Sequence, residues 1–408
     1  MPNDLNSAAG AEVLSVVIPA LNEEEAIGST IQRCLDAREK VRASGGLADV
    51  EIIVVSDGST DRTEQIARSY SNVAVYAYPD NRGYGAAIKC GFEHASGDLL
   101  GFMDADGTCD PVYFGDMCRV LLSEEADIVL GSRMGAESEM PRLRSVGNRF
   151  FALLLGMLSN EPISDTASGM RVVRRDALEP LGPLPDGLHY TPAMSARALL
   201  SGLRIREIPM SYGERIGQSK LSVLADGKRF LAAILDGVLF YRPARVFFLM
   251  FAFFFVLATM VSLSPAEHYM RFGSIEPWMI YRFVLAFLLG SLSAISLGTA
   301  AVASRLASLV GVGGQGSFWS KAVEYVFSGN SVFWLVGLLV TVAVLLTLPG
   351  IVQYAASGTV SLHWSRVIVS AFALLVAFQT LLTSTLLRIM NYWIRVAEFR
   401  SRPLATTS

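Results

Sequence analysis

Asp104 and Asp106 flank Ala105 at the end of the apolar run Leu99-Leu100-Gly101-Phe102-Met103. Side chains at i and i+2 of an extended segment project to the same side, so the two carboxylates can share one hard divalent cation and the phosphate oxygens that travel with it. Ile52-Ile53-Val54-Val55-Ser56 likewise delivers Asp57 to a strand end, where Gly58 frees the backbone and Ser59, Thr60 and Asp61 start a helix. A carboxylate there either accepts hydrogen bonds from a ribose or base N–H or caps its own turn. Val16-Val17-Ile18-Pro19-Ala20-Leu21-Asn22-Glu23-Glu24 turns sharply at the proline and sets Asn22 and Glu23 at the same kind of edge. The stretch from Asn81 to Lys89 contains Gly83-Tyr84-Gly85 but lacks a later glycine in dinucleotide-binding register. It reads as a glycine-rich helix entry, with Lys89 either reaching a diphosphate or solvated at the surface.

Such residues need a scaffold with many strand ends on one edge. From Val13 onward, short β-branched runs alternate with helical stretches, the pattern of an α/β domain with a mainly parallel sheet. Strands are expected at 14–19, 51–55, 73–76, 99–103, 128–130 and 203–208. Asn22 reads as the N-cap of the first helix with Glu25 as capping-box partner, and the second helix opens near Asp61. Ligands of such sheets bind beyond the carboxyl ends of the strands, where every segment above falls.

The chain has 408 residues, of which 52% are hydrophobic, and a net charge of -3, which excludes a nucleic-acid binder and fits one soluble domain joined to a membrane domain. Cys34, Cys90, Cys109 and Cys118 lack zinc-type spacing and read as reduced thiols in a cytosolic compartment. The four histidines are scattered and none is assigned to catalysis. Residues 1–12 lack the pattern of a secretory signal, so the first domain is expected to face the cytoplasm.

Four segments, 246–263, 280–303, 332–354 and 367–387, each have about the length needed to cross roughly 30 Å of hydrocarbon, with Arg282 snorkelling to an interface. Lys228, Arg229, Arg242, Arg245, Arg305, Lys321, Arg388, Arg395, Arg400 and Arg402 then fall on the cytoplasmic side, against Arg271, Arg282 and Arg366 outside. The expected organisation is a flexible N-terminus (1–12), a catalytic domain (13–217), juxtamembrane interfacial helices (218–245), four spans (246–390) and a cytoplasmic tail (391–408) in the inner membrane. Leu224, Phe230, Leu231, Ile234, Leu235, Val238 and Leu239, beside Lys228 and Arg229, suit a helix lying in the membrane interface or one packed on the soluble domain.

The segments around Glu23, Asp57, Asn81 to Lys89 and Asp104-Ala105-Asp106-Gly107-Thr108, taken in order, resemble the family 2 glycosyltransferases with the GT-A nucleotide-sugar fold. Gly131-Ser132-Arg133, Asp165-Thr166-Ala167-Ser168-Gly169-Met170-Arg171 and Arg215-Ile216-Gly217-Gln218-Ser219-Lys220-Leu221 narrow the resemblance to the polyprenyl-phosphate hexose synthases, the dolichyl-phosphate mannose synthases among them. The resemblance implies that Pro19, Leu21, Glu23, Asp57, Lys89, Asp104, Ala105, Asp106 and Thr108 serve a nucleotide-sugar donor, GDP-mannose or a UDP-hexose. It implies that Asp104 and Asp106 hold Mg2+ or Mn2+, and that Arg133, Arg171, Arg215 and Lys220 surround the phosphates, with Arg142 or Arg144 on the phosphate of a polyprenyl acceptor. Asp104, Asp106 and Arg133 are the expected catalytic residues.

Two departures matter. Thr108 stands where many relatives have glutamine, and Thr191-Pro192-Ala193-Met194 offers no carboxylate where relatives often have one. Neither sugar identity nor a general base therefore follows from the motifs. A processive polysaccharide synthase would carry Gln-x-x-Arg-Trp, yet none of the five tryptophans follows an arginine. A non-catalytic lipid-sugar binding or translocating component would dispense with the carboxylate pair. Polyprenol length and oligomeric state do not follow from the sequence.

Overall fold

The computed structural model describes residues 12–135, 138, 140–217, 222–309, 327, 329 and 331–401. The chain divides into two compact units, Met1–Val238 and Leu239–Ser408. In the first, the order is β1 (Val13–Ala20), α1 (Ile27–Gly45), β2 (Asp49–Asp57), α2 (Thr63–Arg68), β3 (Ala74–Tyr78), α3 (Tyr84–His94), β4 (Leu99–Phe102), α4 (Tyr113–Ser123), β5 (Ile128–Ser132), α5 (Arg142–Ser159), β6 (Arg171–Arg174), α6 (Tyr190–Ser201), β7 (Ile205–Pro209) and α7 (Val223–Tyr241), the last reaching just past the boundary.

The strands form one seven-stranded sheet, β3-β2-β1-β4-β6-β5-β7. All pairings are parallel except those of β6, which runs antiparallel to both β4 and β5. The expected α/β architecture with a mainly parallel sheet is what the chain adopts. Alternation along each strand feeds two cores. Leu14, Val16 and Ile18 of β1 pack with Ile27 and Ile31 of α1 and Phe114 and Met117 of α4, whereas Val17 joins Ile53, Leu100, Phe102 and Ile128 against Ile88 and Tyr190.

β6 was not expected from the sequence. It is four residues long, begins and ends with arginine, and only Val172 and Val173 carry its apolar signal, one into each core. The cap of α1 also differs from expectation. Its N-cap is Ala26, without a side-chain bond, and Asn22 instead adopts a left-handed conformation (φ 49°). The Asn22 Oδ1 is committed elsewhere, accepting from the Thr60 N–H at 2.7 Å, which explains why it caps nothing.

The second unit contains α8 (Pro243–Phe272), α9 (Ile280–Leu309), α10 (Ser331–Ser357) and α11 (Trp364–Ser401). These four helices are long and apolar enough to cross a membrane, matching the count expected from hydropathy. Arg282 lies over the Trp278 ring at 5.4 Å, an aromatic partner suited to an interface. Of the expected flexible N-terminus only Glu12 is described, and its carbonyl accepts from the Ala48 N–H at 2.9 Å. Lys220, Leu221 and residues 402–408 lie outside the described residues.

Candidate active site

β4 stops at Phe102, and the chain then turns across the sheet edge, so Asp104, Ala105 and Asp106 all line one cavity of about 470 Å³. Asp104 accepts a 2.7 Å hydrogen bond from the Tyr84 hydroxyl, and Gly169 packs so closely on its carboxylate that no Cβ fits between them. Asp106 is buried. Its Oδ1 accepts from the Thr108 hydroxyl at 2.6 Å and the Thr108 N–H at 3.1 Å, and its Oδ2 lies 3.2 Å from Arg215 Nη1. Burial first, and the negative charge of Asp106 second, push the Asp104 carboxyl up to about 7, against the Tyr84 hydrogen bond and the charges of Arg133 and Arg215.

Pro19, Leu21, Glu23 and Asp57 line the same cavity. Asp57 accepts from the Arg82 and Gly83 N–H groups at 2.8 Å each, so it secures the glycine-rich loop while keeping lone pairs for a ligand. Gly58 has φ +71°, and a side chain there would also strike the Asp80–Asn81 backbone, so glycine is required on both counts. The turns after β1 and β2 are stitched together. The Glu23 N–H donates to Thr63 Oγ1 at 2.8 Å and the Glu24 N–H to Asp61 Oδ2 at 3.1 Å. Thr108 does not line the cavity but fastens Asp106. Lys89 does not line it either, donating to the Leu184 carbonyl at 2.9 Å and pairing with Asp186 at 2.5 Å. Neither expected role for Lys89 is seen: it clamps the loop before α6.

Arginines bring positive charge to the same cavity. Arg133, at the end of β5, is held by Asp165 through Nε and Nη2, both at 2.8 Å, and its guanidinium lies 5.4 Å from the Tyr212 ring centre. Burial alone would raise the Asp165 carboxyl, but the charge and hydrogen bonds of Arg133 outweigh it and hold Asp165 below the usual carboxylate range. Arg144, on the first turn of α5, and Arg215 also line the cavity. Arg215 bridges Asp106 and Glu23, the latter at 3.0 Å. Arg171 lies elsewhere. It is fully buried and spends its guanidinium on the Ser168 and Thr166 carbonyls and the Ser195 hydroxyl, bracing the 165–169 loop from beneath rather than lining the cavity. The side chain of Arg142 and all of Lys220 lie outside what is described.

Three site residues escaped the sequence reading. Tyr84 holds Asp104, and Asp165 holds Arg133. Asn148 donates to Asp165 Oδ1 at 2.9 Å and accepts from the Thr166 N–H and hydroxyl. Asn148 falls four residues after Arg144 on α5, so their shared face was the available signal.

The cavity thus gathers carboxylates from the strand ends together with Arg133, Arg144 and Arg215, the last of them paired to two of the carboxylates, an arrangement suited to phosphate groups around a cation. The chain matches the family described as Glycosyl transferase family 2 over residues 15–182, and it belongs to that family. It is 36% identical over 240 residues to the low-salt glycan biosynthesis hexosyltransferase Agl6 of Haloferax volcanii, a match covering 57% of this chain and 56% of that protein. The chain therefore spans little more than half the length of that relative. It is 33% identical over 219 residues to the dolichyl-phosphate hexose transferase of Haloferax volcanii, covering 52% of this chain and 89% of the relative. A crystal structure of glucosyl-3-phosphoglycerate synthase from Mycobacterium tuberculosis is similar at TM-score 0.46 and 23% identity, over 55% of this chain and 78% of that one.

Among the described residues no cluster of three or more His, Cys, Asp or Glu forms a cation cage. The Asp104 and Asp106 carboxylates, which line one cavity and of which the first is pushed up by burial and then by its neighbour's charge, do fit a divalent ion that takes its remaining ligands from phosphates and water.

Proposed function

We propose that this chain is a membrane-bound, metal-dependent hexosyltransferase that moves a hexose from a nucleotide sugar, GDP-mannose or a UDP-hexose, to polyprenyl phosphate with inversion at the anomeric carbon. The observation that carries the reading is the single cavity in which Glu23, Asp57, Asp104 and Asp106 face Arg133, Arg144 and Arg215. The activities named for the two Haloferax relatives, a hexosyltransferase and a dolichyl-phosphate hexose transferase, support it. The four apolar helices support a lipid acceptor, and the arginine and lysine distribution supports an inner-membrane protein with its first unit in the cytoplasm.

In this reading Asp57 and Glu23 orient the nucleotide, and Arg133 and Arg144 receive the acceptor phosphate. A phosphate monoester has a second pKa near 6, so at neutral pH the attacking oxygen is already deprotonated and no general base is required. The obstacle is repulsion. Two like unit charges about 5 Å apart at an effective dielectric of about 20 cost about 3 kcal/mol, and an acceptor dianion meets more than one such charge on the donor. Arg133, fixed in a fork by Asp165, and Arg215, shared between two carboxylates, answer that repulsion without having to reorganise. Asp104 and Asp106 would hold a divalent cation, whose charge would stabilise the departing nucleoside diphosphate.

The test is transfer of radiolabel from a panel of nucleotide sugars into the organic phase, using the full chain with polyprenyl phosphate, with and without chelator. Label is expected from one donor class only, to be lost with chelator, and to fall by about a hundredfold or more in Asp106→Asn. No transfer from any donor overturns the activity. Transfer indifferent to chelator, or near-normal turnover by Asp106→Asn, overturns the metal assignment.

A further inference from the structure

One acidic residue of the cavity wall has no part in the mechanism above. Asp226, on the first turn of α7, lines the cavity and is buried, whereas Glu23, Asp57, Asp104 and Asp106 all come from the ends of β1, β2 and β4 or the turns after them. Its corner lies between the donor side and the acceptor side of the proposed reaction. Toward the donor, the Gly85 and Ala86 N–H groups of the glycine-rich loop donate to the Asp186 carbonyl at 2.6 and 3.1 Å, which ties that loop to Gly187, Leu188 and Thr191 of the cavity wall. Toward the acceptor, Phe230 of α7 meets Phe151 of α5 edge to face at 6.0 Å, and Phe151 lines the cavity with Asn148 and Arg144. The same corner is registered at His189, the N-cap of α6. Burial first and the Arg229 charge second hold its imidazole below the ordinary value, while Asp226 acts the other way.

Asp226 Oδ2 accepts from the Ser222 N–H at 2.8 Å, and Oδ1 accepts from Arg229 Nη1 at 2.9 Å. Each oxygen keeps a lone pair. The Ser222 contact closes the start of α7, a task that an exposed carboxylate performs equally well, so capping alone does not account for a buried one in a cavity wall. We propose that Asp226 is a specificity-determining residue for the transferred hexose, its carboxylate accepting the O–H of one sugar hydroxyl while Arg229, which also lines the cavity, donates to the oxygen of the neighbouring hydroxyl. The proposal rests on the hexose transfer inferred above. A carboxylate in this corner repels phosphate, whereas a pair of adjacent hydroxyls offers one donor and one acceptor to a side chain that only accepts and one that only donates. The first turn of α6, which adjoins the corner, carries no acid that could take the same part. An epimeric hexose turns one hydroxyl away and leaves the buried carboxylate short of a partner, which is the kind of loss that lets a site tell sugars apart.

The experiment measures kcat/KM of the full chain with polyprenyl phosphate, for the nucleotide hexose that the parent uses and for deoxy counterparts lacking one ring hydroxyl at a time. The parent is compared with Asp226→Asn, which keeps an oxygen for the Ser222 N–H. Loss of one particular hydroxyl is expected to slow the parent by about tenfold or more and to leave Asp226→Asn nearly unaffected. The intrinsic effect of deoxygenation on reactivity cancels in that comparison. Affinity for the bare nucleoside diphosphate, read by calorimetry, is expected to be the same in both. Arg229→Gln changes an exposed side chain and is expected to lose sensitivity at the adjacent carbon, so it decides the matter if Asp226→Asn does not fold. Equal losses by the variants on every donor, or a weakened nucleoside diphosphate, give the pair a structural role and overturn the proposal. Parent-like use of the intact sugar by Asp226→Asn overturns it too. Transfer of the intact sugar by the parent upholds the activity whichever way the deoxy donors fall, so the two readings fail separately.

Discussion

Asp104 is held from two directions, by the Tyr84 hydroxyl at 2.7 Å and by the bare backbone of Gly169. Substituting Gly169→Ala drives a methyl group into the carboxylate, and the side chain has to rotate away. The expected result is a fall in turnover of tenfold or more with a thermal unfolding temperature close to that of the parent, read by transfer assay and calorimetry. A large drop in unfolding temperature would show instead that the 165–169 loop had come apart. The Asp104–Asp106 pair was legible in the sequence because a spacing of two after an apolar run already fixes a shared direction. Arg171 was not. Its motif marks the loop, but whether an arginine points into a cavity or beneath it depends on which neighbours offer carbonyls, and Thr166 and Ser168 do so only once β6 has taken its place.

At the scale of elements, the turn after β1 is built on side chains from the turn after β2. Asp61 accepts from the Thr63 hydroxyl, the Thr63 N–H and the Glu24 N–H, at 2.5, 2.9 and 3.1 Å. Burial would raise its carboxyl, but these hydrogen bonds prevail and hold it below its ordinary value. A depressed folded-state value stabilises above the unfolded pKa and loses that contribution as pH falls through the folded one. Asp61→Asn is therefore expected to cost about 1 to 2 kcal/mol at pH 7 and to converge on the parent in acid, measured by denaturant unfolding at both pH values. A difference that persists at low pH would assign the effect to shape rather than charge. The sequence showed a cap-type residue at Asp61 but not its reach across to Glu24, because hydrogen bonds between loops have no periodicity. The same blindness turned Asn22 into an expected helix cap. The six expected strands all exist, since five carry an apolar run and the sixth spaces Leu203, Ile205 and Ile208 between charged residues. β6 lacked one, because two valines split between opposite faces leave no run to see.

At the scale of the whole molecule, the proposed membrane orientation requires that four crossings return the chain to its starting side, with the turns after α8 and after α10 on the far side. In intact cells, a membrane-impermeant thiol reagent is expected to label Ser274→Cys and Ser361→Cys but not Glu39→Cys, which becomes reactive only after lysis. The reverse pattern would invert the orientation. Hydropathy made the four long apolar helices legible because a run of about twenty apolar residues matches the thickness of a bilayer and exceeds what one face of a globular core can bury.

The antiparallel insertion of β6 has a further consequence for how the first unit comes together during synthesis. All of β1 to β4 has been made once Phe102 has emerged from the ribosome, yet one edge of β4 has no neighbour until Arg171–Arg174 arrives. β5 and β7 cannot close that edge themselves, because β6 stands between them and β4. The nascent β1–β4 half thus carries an exposed strand edge while the intervening segments are being made. Growth of the chain has to outpace mispairing there, and the arginine side of the cavity is the last to be assembled.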